Sequence, residues 1–438
     1  MKGFAVRACT VAVSVPCLLL LAVASPAQAG FAPPAPPRFG VVDVGTFGGP
    51  NASLDGPAVQ MTKDGAVLGA ADTTIADPDF PNVNPFFGDP NPVVVHAFAW
   101  QDGHLRDLGA LPGDNSSAVF EVNGHGVGTG MSETGALDAV NGYPAIHAVL
   151  FKDEAVIDLG LLPGGTSSMA VAINEHGQVA GFANNDIPDP ASILPFGTQT
   201  RAFIWQNGVM HDLGTLGGPD AFTATLNERG QIAGDSYTNS SPNPVTGLPT
   251  SHPFLWTDGH MRDLGTLGGT ASLTIWLNNK GQVVGQSNIA GDHAAHPFLW
   301  DGARLRDLGT LGGTVGIARN INDAGTVVGW STTEGDERIH AFLWKNGRLV
   351  DLTGAGNTQC TFAEWINDRD QVVGGTCGEG SALLWSGGKQ YDLNDLAGTT
   401  DVHLTEAAFI NDRGQITALG VLPNGNQHVF LLTPANRN

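Results

Sequence analysis

Three short elements recur eight times along this chain in a fixed order, and this periodicity limits the fold more than any other feature. The first, Asp-Leu-Gly, stands at Asp43, Asp107, Asp158, Asp212, Asp263, Asp307, Asp351 and Asp392, with Val44 replacing Leu in the first copy. The second, of the form Ile-Asn-x-x-Gly-Gln-Val-Val-Gly, centres on Thr62, Asn123, Asn174, Asn227, Asn278, Asn322, Asn367 and Asn411. The third, His-Ala-Phe-Leu-Trp, begins at His96, His147, Arg201, His252, His296, His340, Ser381 and His428. Successive Asp residues are 64 positions apart at the start (Asp43 to Asp107) and 41 at the end (Asp351 to Asp392). A unit of this size cannot bury its own apolar face, so it must stack on its neighbours.

Each unit reads as four strands. An apolar run ending in Ile-Asn is followed by Gln-Val-Val-Gly, with a turn such as Asn227-Glu228-Arg229-Gly230 between them, where the final Gly can take positive φ. His-Ala-Phe-Leu-Trp makes the third strand. Asn207-Gly208, Asp258-Gly259 and Asn346-Gly347 are hairpin turns leading into the fourth, which ends at Asp-Leu-Gly. Phe254-Leu255-Trp256 is apolar at consecutive positions, so both faces of such a sheet are covered. Four short strands per unit, repeated eight times, predict an all-β chain: a closed β-propeller of about eight four-stranded blades. The chain starts on a fourth strand, Val41 to Gly45, and ends on a third, His428 to Leu432. The N-terminal strand is therefore expected to complete the last blade and remove two open edges.

Composition agrees with short strands and many turns. Of 438 residues, 60 are Gly and 27 Pro, and only 14% are charged. The net charge of −22 repels phosphate backbones and anionic membrane surfaces, so nucleic acid is excluded as a partner class. Lys2 and Arg7, the apolar stretch around Leu18 to Val23, and Ala27-Gln28-Ala29 read as a signal peptide over residues 1–29. A Pro-rich lead-in (30–40), a single repeat domain (41–433) and a short tail (434–438) follow. No later stretch approaches the roughly 20 apolar residues of a membrane span. The expected product is secreted or periplasmic, and monomeric.

Together the His-Ala-Phe, Asp-Leu-Gly-Thr-Leu-Gly-Gly and Ile-Asn-x-x-Gly-Gln-Val-Val-Gly segments resemble the HAF repeat family of extracellular proteins, over residues 41 to 433. The resemblance implies export and repetition and carries over no catalytic residue. Units 7 and 8 depart most, with Asp370 for Gly, Ser381 for His, and Asp392-Leu393-Asn394-Asp395 for Asp-Leu-Gly-Thr.

Removal of the leader leaves two cysteines, Cys360 and Cys377, expected to form one disulfide in an oxidising compartment. Cys360 lies seven residues before Asn367 and Cys377 seven after Asp370, which places them across the first hairpin of that unit.

Residues used in every unit are most simply folding devices. The six strand-opening His and the repeated Asp are read as backbone or turn anchors, because copies spread around a wide ring cannot share one metal with ~2 Å bonds. Non-repeated residues concentrate between the second and third strands. That connection has 26 residues after Gly69, 16 after Gly130, 19 after Gly181 and 17 after Gly234, against 10, 10 and 6 in units 5 to 7. The candidate binding residues there are Asp77, Asp79, Phe86, Phe87, Asp138, Tyr143, Asp186, Asp189 and Tyr237. Asp77, Asp79, Asn82 and Asn84 are oxygen-bearing types suited to Ca²⁺, although no Gly-hinged 12-residue loop frames them. No cofactor is required. The reading is a non-catalytic binding or scaffolding module for a glycan or protein. The alternative is a glycoside hydrolase or polysaccharide lyase using loop carboxylates, whose separation the sequence does not give.

Overall fold

A computed structural model describes residues 36–435 apart from 55–57, 89, 114, 193, 195, 379 and 399. The expected signal peptide, and the lead-in as far as residue 35, lie outside the described residues. The described strands group into eight antiparallel four-stranded blades. Blade 3 serves as the pattern: Ser168–Ile173, Val179–Pro188, Thr198–Gln206 and Val209–Asp212 pair in sequence order. Single bridges, Ala295↔Val315 and Gly375↔Glu406, join blades 5 to 6 and 7 to 8.

The N-terminal strand Phe39–Asp43 does pair with Gln427–Pro434, from Phe39↔Pro434 to Asp43↔Phe430. It supplies the fourth strand of blade 8. Blade 8 also meets blade 1 directly: the Gln427 amide donates to Asn51 Oδ1 at 3.1 Å, and Arg413 pairs with Asp64 at 3.2 Å.

Apolar clusters fill the spaces between successive blades. One between blades 3 and 4 holds Ala180, Ile204, Ile232 and Phe254, and one between blades 6 and 7 holds Val328, Ile366, Leu383 and Trp385. Burial on both sheet faces is thus the physical content of the consecutive apolar residues in the third strands.

The repeated residues have local causes. In blades 1, 2, 5 and 6 the His Nδ1 donates to the Asp carboxylate 11 positions on, as in His96–Asp107 at 2.9 Å. His252–Asp263 does the same in blade 4, and in blade 3 Arg201 replaces His and donates to Asp212 at 3.0 Å. The same Asp accepts the amide two residues later, Gly109 for Asp107. Burial alone would raise the Asp107 and Asp158 carboxyls, but these bonds outweigh it and hold both below the usual range. Blade 7 lacks the His, and its Asp392 instead caps a one-turn helix, Leu393–Ala397. The helix stands where the repeat pattern predicts a strand end, because Asp392 accepts the Asn394 amide as its N-cap.

The first strand of each of blades 2 to 8 carries a bulge, for example between Thr223 and Thr225. The Gly of Val-Val-Gly sits beside it: a Cβ on Gly234 would lie 2.0 Å from the Phe222 carbonyl oxygen, so no side chain fits. The Cys360–Cys377 disulfide forms as expected, with Cα atoms 5.4 Å apart.

Candidate functional site

The first strands of neighbouring blades line the axis, and the two ends of this channel differ. At the end formed by the Asn-x-x-Gly turns, two ladders of hydrogen bonds run from blade to blade. Asn123 Nδ2 donates to the Asn174 carbonyl, and the step repeats through Asn227, Asn278, Asn322 and Asn367 to Asn411. Its Oδ1 caps the turn, as Asn227 does for Arg229 and Gln231. One residue further on, a carboxylate or amide accepts the backbone N–H of the preceding blade: Glu175 from Gly124, Glu228 from Glu175, Asn279 from Glu228, Asp323 from Asn279, Asp368 from Asp323, and Asp412 from Asp368. The result is an acidic rim. Burial, with Asp412, Asp323 and Asp370 nearby, raises the Asp368 carboxyl.

Inside that rim lies a cavity of about 450 Å³ lined by residues of all eight blades. Its wall is chemically mixed. Trp276 and Trp365 meet edge-on with ring centres 4.7 Å apart, and Phe409 lies 4.8 Å from Trp365. Glu121 is 6% exposed; burial, and then Glu228, push its carboxyl well above the usual range although the Ile173 amide donates to it. Asn320 is 1% exposed and its Nδ2 has no hydrogen-bond partner. These five residues share one repeat position, two before the ladder Asn, where the other units carry Gln60, Ala172 and Thr225.

The far half of the channel divides into an apolar and a charged side. On blades 1 to 4, loop aromatics pack inward: Phe86 of blade 1 lies 5.6 Å from Phe196 and 6.0 Å from Phe182 of blade 3, in a cluster with Phe120 and Phe222. On blades 6 to 8, bulged first strands present Arg319 and Glu364, joined at 2.6 Å, with Glu406 near them. Burial, and then the charge of Glu364, push Glu406 up to about 7 despite Arg319. Burial also raises Glu364, against the pull of Arg319.

The loop residues singled out in the sequence meet in small groups, Asp77 with Asp79, Asp138 with Tyr143 and Tyr237 with Asp189, rather than at one site. Asp138 (3% exposed) caps Val140 and accepts from Thr166, Tyr237 (1% exposed) is buried, and Phe86 and Phe87 belong to the aromatic cluster. Asp186 is exposed; Asp77, Asp79, Tyr143 and Asp189 are half-buried. Asp79 is raised by burial and by Asp77. Asn82 and Asn84 donate to the Gly142 and Pro144 carbonyls of the next blade. Among the described residues, no cluster of three or more His, Cys, Asp or Glu is arranged to hold a metal ion.

Much of the extra loop length is strand. Val67–Ala76 and Ile232–Pro242 run past the length of their counterpart Val327–Thr333. Nearby, Glu133 is pushed up to about 7 by burial, although the Ser116 amide donates to it.

The cavity residues lie on the first strands and not in the variable loops, so loop length and loop composition do not point to them. The available signal was the position two before the ladder Asn, whose residue changes from unit to unit within a strongly repeated strand.

No family model matches the chain, and no curated protein matches it. Among solved structures it is similar to the β-propeller domain of the Trilobed protease from Pyrococcus furiosus, at 9% identity and a TM-score of 0.42, over 70% of this chain and 91% of that one. It is also similar to Porphyromonas gingivalis dipeptidyl peptidase 4 (10%, TM-score 0.46, 75% of this chain and 54% of that one). An ulvan lyase of a polysaccharide lyase family is similar at 12% identity and a TM-score of 0.38, over 90% of this chain and 96% of that one. None of these likenesses assigns a role to a residue of this chain.

Proposed function

We propose that this chain is an exported, non-catalytic binding module of the HAF repeat type, which takes its ligand in the axial cavity at the turn face. The observation that carries this reading is the cavity itself. Eight units built on one pattern converge on about 450 Å³, and the position facing it carries Trp276, Trp365, Phe409, Glu121 and Asn320 rather than one repeated residue. A rigid repeat scaffold with varied residues at a single shared position has the organisation of a recognition site. The leader-like N-terminus and the disulfide support export.

The loop face then acts mainly as a cover, since its aromatics pack over the apolar side of the channel. A glycoside hydrolase on this scaffold would need two carboxylates free to act on a glycosidic bond. Glu364 is instead tied to Arg319, which favours the binding reading.

The test is a screen of purified protein against immobilised glycans and envelope proteins, with Trp276→Ala for the turn face and a double Asp186→Ala, Ile187→Ala variant for the loop face. Loss of binding in the first variant alone supports the proposal. Loss in the second alone moves the site to the loops.

A further inference from the structure

We infer that the axial cavity is built for a sugar residue without acidic groups, neutral or amino-substituted, and that the acidic rim turns anionic sugars away. This rests on the binding reading above and names its ligand class.

The cavity asks three things of a ligand. Trp276, Trp365 and Phe409 offer aromatic surface on one side, which favours a ligand with a flat apolar face. Asn320 offers an amide donor, buried at 1% exposure and left unpaired, which calls for a hydroxyl or carbonyl oxygen. Glu121 offers a carboxyl whose capacity is only partly used by the Ile173 amide, which calls for a further hydrogen-bonding group. A pyranose ring meets all three, because it has a C–H face and hydroxyls that both donate and accept. A purely apolar ligand would leave Asn320 unpaired, and an alkylammonium ion has no acceptor for its Nδ2.

Charge then selects among sugars. Glu228, Asp323, Asp368 and Asp412 line the cavity against Lys63 and Arg413, and Arg413 is already paired with Asp64. The acids of the rim accept backbone N–H bonds from the preceding blade, so they cannot swing away from an incoming anion without breaking the ladder. A uronate or sulfated sugar would bring like charge into this partly desolvated mouth. An amino group would find acceptors there.

The unpaired amide makes the test sharp. A buried polar group without a partner costs stability, so its retention is accounted for if a ligand supplies the bond. Asn320→Ala should therefore leave the melting temperature unchanged or raised, while weakening sugar binding at least tenfold. The probes are cellobiose, the glucosamine disaccharide from chitosan, and digalacturonic acid, followed by tryptophan emission and calorimetry on the full chain. Saturable binding of the first two, at least tenfold tighter than the third, is expected. Digalacturonic acid binding as tightly as cellobiose, or full cellobiose affinity in Asn320→Ala, would overturn the inference. If none of the three sugars binds while an envelope protein binds in a Trp276-dependent way, the sugar class fails and the turn-face binding site stands.

Discussion

His428 and Asp43 stand 385 positions apart, yet their side chains meet at 2.9 Å in the same bond that His96 makes with Asp107 across 11 positions. The Gly45 amide donates to Asp43 as Gly109 does to Asp107. The last unit is therefore completed by the first strand of the chain, with every local device of an intact unit.

This clasp predicts unequal truncations. A chain starting at residue 36 should keep the stability of the longer protein. A chain starting at residue 45 should expose the edge of Gln427–Pro434, melt several degrees lower and aggregate, as size-exclusion chromatography and thermal unfolding would record. Asp43→Ala alone should cost only about 1 kcal/mol, because the pair is partly exposed.

The disulfide closes a sequence separation of 17, worth about 3 kcal/mol in the loop-entropy account. The Cys360→Ser, Cys377→Ser double variant should lose about that much in urea unfolding. Reducing agent should lower the midpoint of the parent and leave the variant unchanged.

The Asn ladder predicts a cost set by buried polar groups rather than by volume. Asn278→Ala removes the bond to the Asn322 carbonyl and the caps on Lys280 and Gln282. With the carbonyl left buried, the expected loss is about 2–4 kcal/mol in denaturant unfolding. Substitution of exposed Lys280 should cost less than about 0.5 kcal/mol.

The pH dependence has a definite sign. Glu406 and Glu133 are both raised to about 7, so between the ordinary carboxyl range and pH 7 the folded state holds protons that the unfolded chain releases. Their contribution is present at low pH and is lost as pH rises through about 7. Asp107 and Asp158, held low, act oppositely and lose theirs as pH falls below the usual Asp range. Urea unfolding should therefore show greater stability near pH 5 than near pH 8. Glu406→Gln should shrink that difference by about 1–3 kcal/mol. An unchanged difference would place Glu406 in contact with water rather than beside Glu364.

The loop cover predicts that some loop residues belong to the core. Phe196, 2% exposed, packs on Phe86 and Phe182, so Phe196→Ala should cost about 3–5 kcal/mol. Exposed Val245→Ala should be neutral by the same measurement.

The sequence alone determined the unit and its local chemistry. Alternating turns and apolar runs set four strands per unit, Asn-Gly and Asn-x-x-Gly set the hairpins, and the offset of Cys360 and Cys377 from their turn set the disulfide. These are near-neighbour matters: pairing partners lie within a few tens of residues, and strand register follows from turn geometry. Only the tertiary structure decided what faces the axis. Trp276 reaches Trp365 past blade 6, Phe86 reaches Phe196 past blade 2, and Arg319 meets Glu364 across 45 positions because a bulge turns both inward. Those meetings depend on the angle between blades and on the width of the channel, which are set by side chains packed between sheets all around the molecule. A strand pattern carries the alternation of its own residues, and the point at which eight such strands converge emerges only when they are assembled.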